Sequence, residues 1–208
     1  MSKHPKYPKV LIASNNNHKI VEIKKFFKKF KIKGVEFVTP KELGINSPEE
    51  TEQTFTGNAE LKARYFGANS GLPALADDSG IAIDALDGAP GVHTADWAGP
   101  NRDFKLALSK VKEELKKIGN DEKYPRAKAV CALSFYDPKT NGVQNFYGDM
   151  KGRLNYAFFE HFKIEGFGFQ PIFMPRNSNK SFSLLSLTKK IKISHRSKAF
   201  KKLLKSCF

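Results

Sequence analysis

Lys9-Val10-Leu11-Ile12-Ala13-Ser14-Asn15-Asn16-Asn17-His18-Lys19-Ile20 is the stretch that decides the fold class. Its first part, up to Ala13, is a short apolar run suited to a buried strand, and Ser14 to His18 is a polar loop. Beyond the loop Ile20, Ile23, Phe26, Phe27 and Phe30 recur at helical spacing. Strand, loop and amphipathic helix in that order open an α/β domain.

Working outward, Val35 to Val38 is a second candidate strand, followed by a loop marked by Pro40, Gly44, Pro48 and the acids Glu49, Glu50 and Glu52. A helix is expected from about Thr56 to Asn69. Between Leu72 and Leu86 a strand is expected on each side of Asp77-Asp78-Ser79-Gly80, because an acid-rich, Gly-ended tetrad between apolar runs is turn chemistry. Phe104, Leu108, Val111, Leu115 and Ile118 predict another helix. Ala129 to Tyr136 and Val143 to Tyr147 predict a strand pair joined around Asp137-Pro138 and Asn141-Gly142, and Lys198 to Lys205 predicts a terminal helix. No internal repeat, low-complexity tract or long linker interrupts the chain. The expectation is one α/β domain over residues 1–208 with a mixed sheet, residues 1–8 forming a flexible basic N-terminus.

Composition narrows the function classes. The chain has 208 residues, 40% hydrophobic and 27% charged, as in ordinary globular proteins, and its apolar stretches are far shorter than the roughly 18–20 residues of a membrane-spanning helix. The apolar run after Lys3, Lys6 and Lys9 ends at Ser14, too short for a secretory signal, so a cytoplasmic location is expected. Cys131 and Cys207 are the only cysteines, which excludes a disulfide framework and a four-cysteine zinc site. The net charge of +15 is uneven: residues 1–33 carry ten Lys against Glu22 alone, and residues 166–208 carry ten Lys/Arg and no acid. Cationic ends attract phosphates, whether of a nucleotide or of a nucleic acid, but 30 Lys to 6 Arg is also what a coding bias would leave.

Four constellations could carry chemistry. Ser14-Asn15-Asn16-Asn17-His18-Lys19 stands where a strand ends and a helix begins, a place that favours anions; its Ser and Asn would equally serve as helix caps. Asp77-Asp78-Ser79-Gly80 follows a buried strand, while Glu49 and Glu50 precede the helix carrying Lys62, a carboxylate supply that suits Mg²⁺ shared with substrate phosphates, or a solvated turn. Gly166-Phe167-Gly168-Phe169-Gln170-Pro171 alternates Gly with aromatic residues and could present a ring to a nucleobase or bury it in the core. Ser194-His195-Arg196 offers directed hydrogen bonds suited to a purine edge. No nucleophilic triad, H-E-x-x-H or C-x-x-C accompanies them.

In this order and spacing the chain resembles the inosine triphosphate pyrophosphatase family, which acts on non-standard purine nucleotides such as ITP, dITP and XTP. The matching residues are Ser14-x-Asn16-x-x-Lys19; Glu49-Glu50-Thr51 with Thr54-Phe55 and Asn58-Ala59-x-x-Lys62-Ala63; Asp77-Asp78-Ser79-Gly80; Gly88-x-Pro90-Gly91; Gly166-Phe167-Gly168 with Pro171-Ile172-Phe173; and Lys190 with Ser194-His195-Arg196. They run from about Val10 to Leu204. The resemblance implies two lobes around a long twisted mixed sheet with a nucleotide cleft between them, a homodimer, Mg²⁺ as cofactor, and no nucleic-acid or membrane partner. It assigns Ser14, Asn16, Lys19, Ser79 and Lys62 to the triphosphate, and Glu49 or Glu50 with Asp78 to the metal. The resemblance would also make Asp78 the base for water, with Lys62 beside it in catalysis. Phe167, Gly168, Phe169 and Gln170 would line the base pocket, and Lys190, His195 and Arg196 would read the purine 6-oxygen. Two departures bear on the base pocket: Gln170 stands where the family has Asp, and Ser183-Leu184-Leu185 where it has Ala-Glu followed by Met or Leu.

Overall fold

The computed structural model describes residues 5–99, 101, 103–157 and 168–208. The chain runs β1 (Lys9–Ile12), α1 (Asn17–Lys29), β2 (Glu36–Val38), α2 (Phe55–Ser70), β3 (Ala74–Ile83), β4 (Pro90–Gly91), α3 (Phe104–Lys117), β5 (Arg126–Asp137), β6 (Gly142–Leu154), β7 (Phe173–Pro175), α4 (Leu187–Ile193) and α5 (His195–Cys207), with short 3₁₀ turns between. The strands form one seven-stranded mixed sheet in the order β2-β1-β3-β5-β6-β7, with β4 paired to β3. β1 lies parallel to β2 and to β3, as the helical crossovers α1 and α2 require, whereas β4 and β7 pair antiparallel with β3 and β6.

The chain divides into two compact units, and the division falls within β3, β5 and β6. Unit 1 comprises residues 1–78, 131–147 and 196–208; unit 2 comprises 79–130 and 148–195. In unit 1, α1 is capped by Asn16, whose side chain accepts from the N–H groups of His18 and Lys19, and it buries Ile20, Ile23, Phe26 and Phe27. Thr54 caps α2, which buries Asn58, Ala59, Lys62, Ala63, Phe66 and Gly67 along one face. A side chain at Gly67 would force a shift, because its Cβ would run into the Tyr136 ring. Around it Leu11, Ala13, Ala63, Phe66, Ala74, Ala76 and Tyr136 make a dense core. In unit 2 the core is built from Ile81, Ile83, Leu108, Val111, Leu115, Leu154, Ile172 and Phe173.

Two expectations need correction here. Asp77-Asp78-Ser79-Gly80 is not a turn, because β3 runs unbroken from Ala74 to Ile83 through it. The acids stay in a buried strand since lysines and an arginine from other elements neutralise them, which local composition cannot reveal. The N-terminus is also not free throughout residues 1–8: Tyr7 is buried, its ring edge-on to Phe135 at 4.8 Å and to Phe208 at 5.8 Å. Among the described residues no helix is long and apolar enough to cross a membrane.

Candidate active site

Consecutive residues of a strand point to opposite faces, and β3 uses this to separate its two adjacent acids. Asp77 faces Lys19, Arg196 and Cys131. The Lys19 ammonium lies 2.5 Å from Asp77 Oδ1 and donates to the Asp77 main-chain carbonyl at 3.3 Å. Arg196 Nε approaches Asp77 Oδ2 at 3.6 Å, a charge contact longer than a hydrogen bond, and Cys131 Sγ donates to the same oxygen at 3.2 Å. Arg196 also donates from Nη1 to Glu22 Oε2 at 2.9 Å. Burial disfavours the charge on Arg196, yet Glu22 and Asp77 outweigh it and raise its pKa above the usual value. A cation at the start of α1 and another at the start of α5 are thus tied to one carboxylate.

Asp78 belongs to a second group. Lys62, projecting from the buried face of α2, donates to Glu50 Oε1 at 2.9 Å and to Asp78 Oδ1 at 3.2 Å. The other oxygen, Asp78 Oδ2, is buried with no hydrogen-bond partner among the described residues. Burial is the largest influence on Asp78 and raises its pKa above the ordinary carboxylate value, against the lowering effect of Lys62 and Lys19. Burial opposes the charge on Lys62 too, but Asp78 and Glu50 overcome it and raise that pKa as well. The group therefore holds an ammonium between two carboxylates, with one carboxylate oxygen still available.

That free oxygen tests whether the site suits Mg²⁺. No cluster of three or more His, Cys, Asp or Glu able to hold a metal occurs among the described residues. A cation bound here would take only the Asp78 and Glu50 carboxylates from the protein and the rest of its shell from water and phosphate oxygens. This is how Mg²⁺ is commonly held, so the donor set fits. Glu49 is exposed and has no part in the group, leaving Glu50 as the loop acid that reaches it.

The remaining predicted residues fall as follows. Ser14 accepts from the N–H of Asn16 at 3.1 Å and Asn16 caps α1, so both shape the loop that carries Lys19. Ser79 follows Asp78 on β3. Phe167 lies outside the described residues. Gly168 begins the turn after it with φ +64°, a conformation suited to glycine, and a Cβ there would meet Phe104 at 3.5 Å. Phe169 is a core residue of unit 2, its ring edge-on to Phe104 at 6.4 Å, so of the two readings of that segment this ring takes the buried one.

The two departures from the family pattern are neighbours: the Ser183 N–H donates to the Gln170 carbonyl at 3.3 Å. Lys190 then donates to the Ser183 carbonyl at 2.7 Å and lies 5.6 Å from the centre of the Phe182 ring. Burial lowers its pKa. His195 is buried at the start of α5 and precedes Arg196 directly, although the two residues belong to different units.

Three members of the charged groups had no role in the sequence reading: Asp77, Glu22 and Cys131. A signal for Glu22 existed, since it is the sole acid among the first 33 residues. Asp77 was visible as the first acid of the tetrad but could not be separated from Asp78 while both were read as a turn.

Known proteins resemble this chain over nearly its whole length. Residues 10–206 match the model of the Ham1 family. A dITP/XTP pyrophosphatase of Rhodospirillum centenum is 43% identical over 199 residues, covering 96% of this chain and 94% of that protein. One of Zymomonas mobilis is 42% identical, covering 96% and 91%. Among solved structures, a HAM1 protein from Coxiella burnetii superposes with TM-score 0.82 at 30% identity, covering 95% of this chain and 97% of that one. With a family match over nearly its whole length and relatives above 40% identity, the chain belongs to the Ham1 family.

Proposed function

We propose that this chain is a nucleoside triphosphate pyrophosphatase that hydrolyses dITP and XTP, and ITP with them, to the nucleoside monophosphate and pyrophosphate. The observation that carries the reading is the Lys62 ammonium held between Glu50 and Asp78 with Asp78 Oδ2 left buried and open. The relatives' activity on dITP and XTP supports the substrate class.

The residues divide the work. Lys19 and Lys62 offset the negative charge of the triphosphate, and their present carboxylate partners keep them in place before substrate arrives. A water oxygen attacks the α-phosphorus, the bond to the bridging oxygen breaks, and pyrophosphate leaves with that oxygen. Asp78 accepts the water's proton; burial makes its carboxylate a stronger base than one in solution. Mg²⁺ held by Asp78 and Glu50 would supply electrostatic stabilisation of the phosphate oxygens. Gln170, Lys190 and His195 of unit 2 are assigned to the base, Gln170 both donating and accepting where the family has a carboxylate. The protein acts as a cytoplasmic homodimer in this reading.

The test is a Mg²⁺-dependent release assay over ITP, dITP, XTP, GTP, dGTP, ATP and UTP, with products identified and the oligomer sized by light scattering. Monophosphate plus pyrophosphate from dITP and XTP, well above GTP and ATP, and loss of at least about 10³-fold of turnover in Asp78→Asn are expected. No pyrophosphate from any substrate, or near-normal kcat/KM in Asp78→Asn, would remove the assignment.

A further inference from the structure

The concentration of cations in unit 2 is not used by the reaction. Arg126 and Lys128 are two apart on β5, with buried Ala127 between them turned to the core. Lys151 and Arg153 are likewise two apart on β6, with Leu154 next along buried in the unit 2 core. The pairing of Arg153 with Met174, and of Leu154 with Phe173, continues the same two faces onto β7. Arg176 follows directly and is fixed beside Lys151, since its N–H donates to the Lys151 carbonyl at 3.0 Å. One face of these strand ends is therefore core and the other is basic.

The basic face is concave. Arg126, Lys128, Lys151, Arg153 and Arg176 line a cavity of about 890 Å³ in which Asp84 is the sole acid among the described residues. None of the five cations has an ion-pair partner among the described residues, in contrast to Lys9, Lys19, Lys62, Arg64, Lys117 and Arg196. Like charges gathered in a concavity repel one another and raise the local potential, a cost that a multiply charged anion removes. The volume is that of a small-molecule site. Among the described residues its lining has no aromatic ring, and Tyr124, in an adjoining cavity that shares Arg126 and Arg153, has the Lys123 ammonium over its ring at 5.5 Å. A chain of phosphates matches this lining, whereas a single-stranded nucleic acid would ask for stacking surfaces. A second copy presenting the same face would set cations against cations.

We infer that unit 2 carries a second anion site, separate from the Asp78 group, which takes a short polyphosphate chain such as tripolyphosphate or pyrophosphate. Arginine forks supply bidentate contacts and the lysines supply point charges. Occupancy by pyrophosphate would let the accumulated product act back on the protein without competing for the Asp78 group.

Tripolyphosphate titrated calorimetrically into the full chain tests this, using wild type, Arg126→Gln/Arg153→Gln/Arg176→Gln and Lys19→Met/Lys62→Met. Wild type is expected to show two classes of site. The Lys19/Lys62 variant should keep one, and the triple arginine variant should weaken that class at least tenfold while dITP hydrolysis stays within twofold. The single Arg176→Gln variant, exposed and easily folded, should show a smaller loss of the same sign. Binding unchanged in the triple variant, or abolished entirely by Lys19→Met/Lys62→Met, overturns the site. A single-stranded RNA that displaces tripolyphosphate and binds more tightly also overturns it, as does a triple variant whose sole change is its oligomeric state. The titration needs no turnover, so its outcome is independent of the proposed hydrolysis.

Discussion

Replacing Asp77 with Asn removes one negative charge from between two partly buried cations and leaves the shape of the side chain. Breaking a buried pair by deleting one partner costs about 3–5 kcal/mol because the other charge stays buried. Two features of the structure reduce that figure. Arg196 keeps Glu22 at 2.9 Å, and Lys19 keeps its bond to the main-chain carbonyl of residue 77 at 3.3 Å. Glu22 is 37% exposed, so that pair is worth less than a buried one, and Lys19 is 15% exposed and cannot simply relax into water. A loss of about 2–3 kcal/mol is expected for Asp77→Asn. Lys19→Met added to it should cost much less than Lys19→Met alone, giving a coupling of about 1–2 kcal/mol. Urea unfolding of the four proteins, followed by far- and near-ultraviolet circular dichroism and compared at equal m, measures the cycle. Additivity within about 0.5 kcal/mol, or an Asp77→Asn protein as stable as wild type, would refute the view that Asp77 anchors Lys19.

Three more outcomes follow from the same structure. Lys62→Gln should cut kcat/KM by about 10²-fold or more and move the acid limb of the residual activity to higher pH, because Lys62 lowers the pKa of Asp78; a limb that stays or moves down would separate the two groups. Gln170→Asp should change the ratio of ITP to GTP hydrolysis, and an unchanged ratio would mean that position 170 does not read the base. Gly67→Ala should destabilise by about 1–3 kcal/mol, because its Cβ would run into the Tyr136 ring; thermal unfolding unchanged within error would show that the ring moves freely.

Helices α1 and α3 were legible because apolar side chains mark their inner faces at helical spacing. β1 was legible as a short apolar run. α4 was not, since seven residues give too little periodicity among its lysines, although Ser186 at its start is a capping signal. The fault at Asp77-Asp78-Ser79-Gly80 has a different cause. Turn chemistry is a local inference, and what keeps this segment extended is remote: Lys19 is 58 residues away in sequence from Asp77, Lys62 is 16 from Asp78, and Arg196 comes from the last helix. For the same reason the motif marked Lys62 and Asp78 as candidates but could not show that Glu50 rather than Glu49 reaches them.

The passage of β3 straight through its two acids makes the strand intolerant of any change in count. Asp77 and Asp78 are adjacent in sequence but serve different partners because each step along the strand reverses the side-chain direction. Inserting or deleting one residue between Leu75 and Asp77 would turn each carboxylate to the opposite face of the strand, away from its own cations. Substitutions around this strand can be absorbed one at a time, but a shift of frame cannot. Natural length variation in relatives of this chain should therefore fall in the connections before Ala74 and after Ile83, never between them.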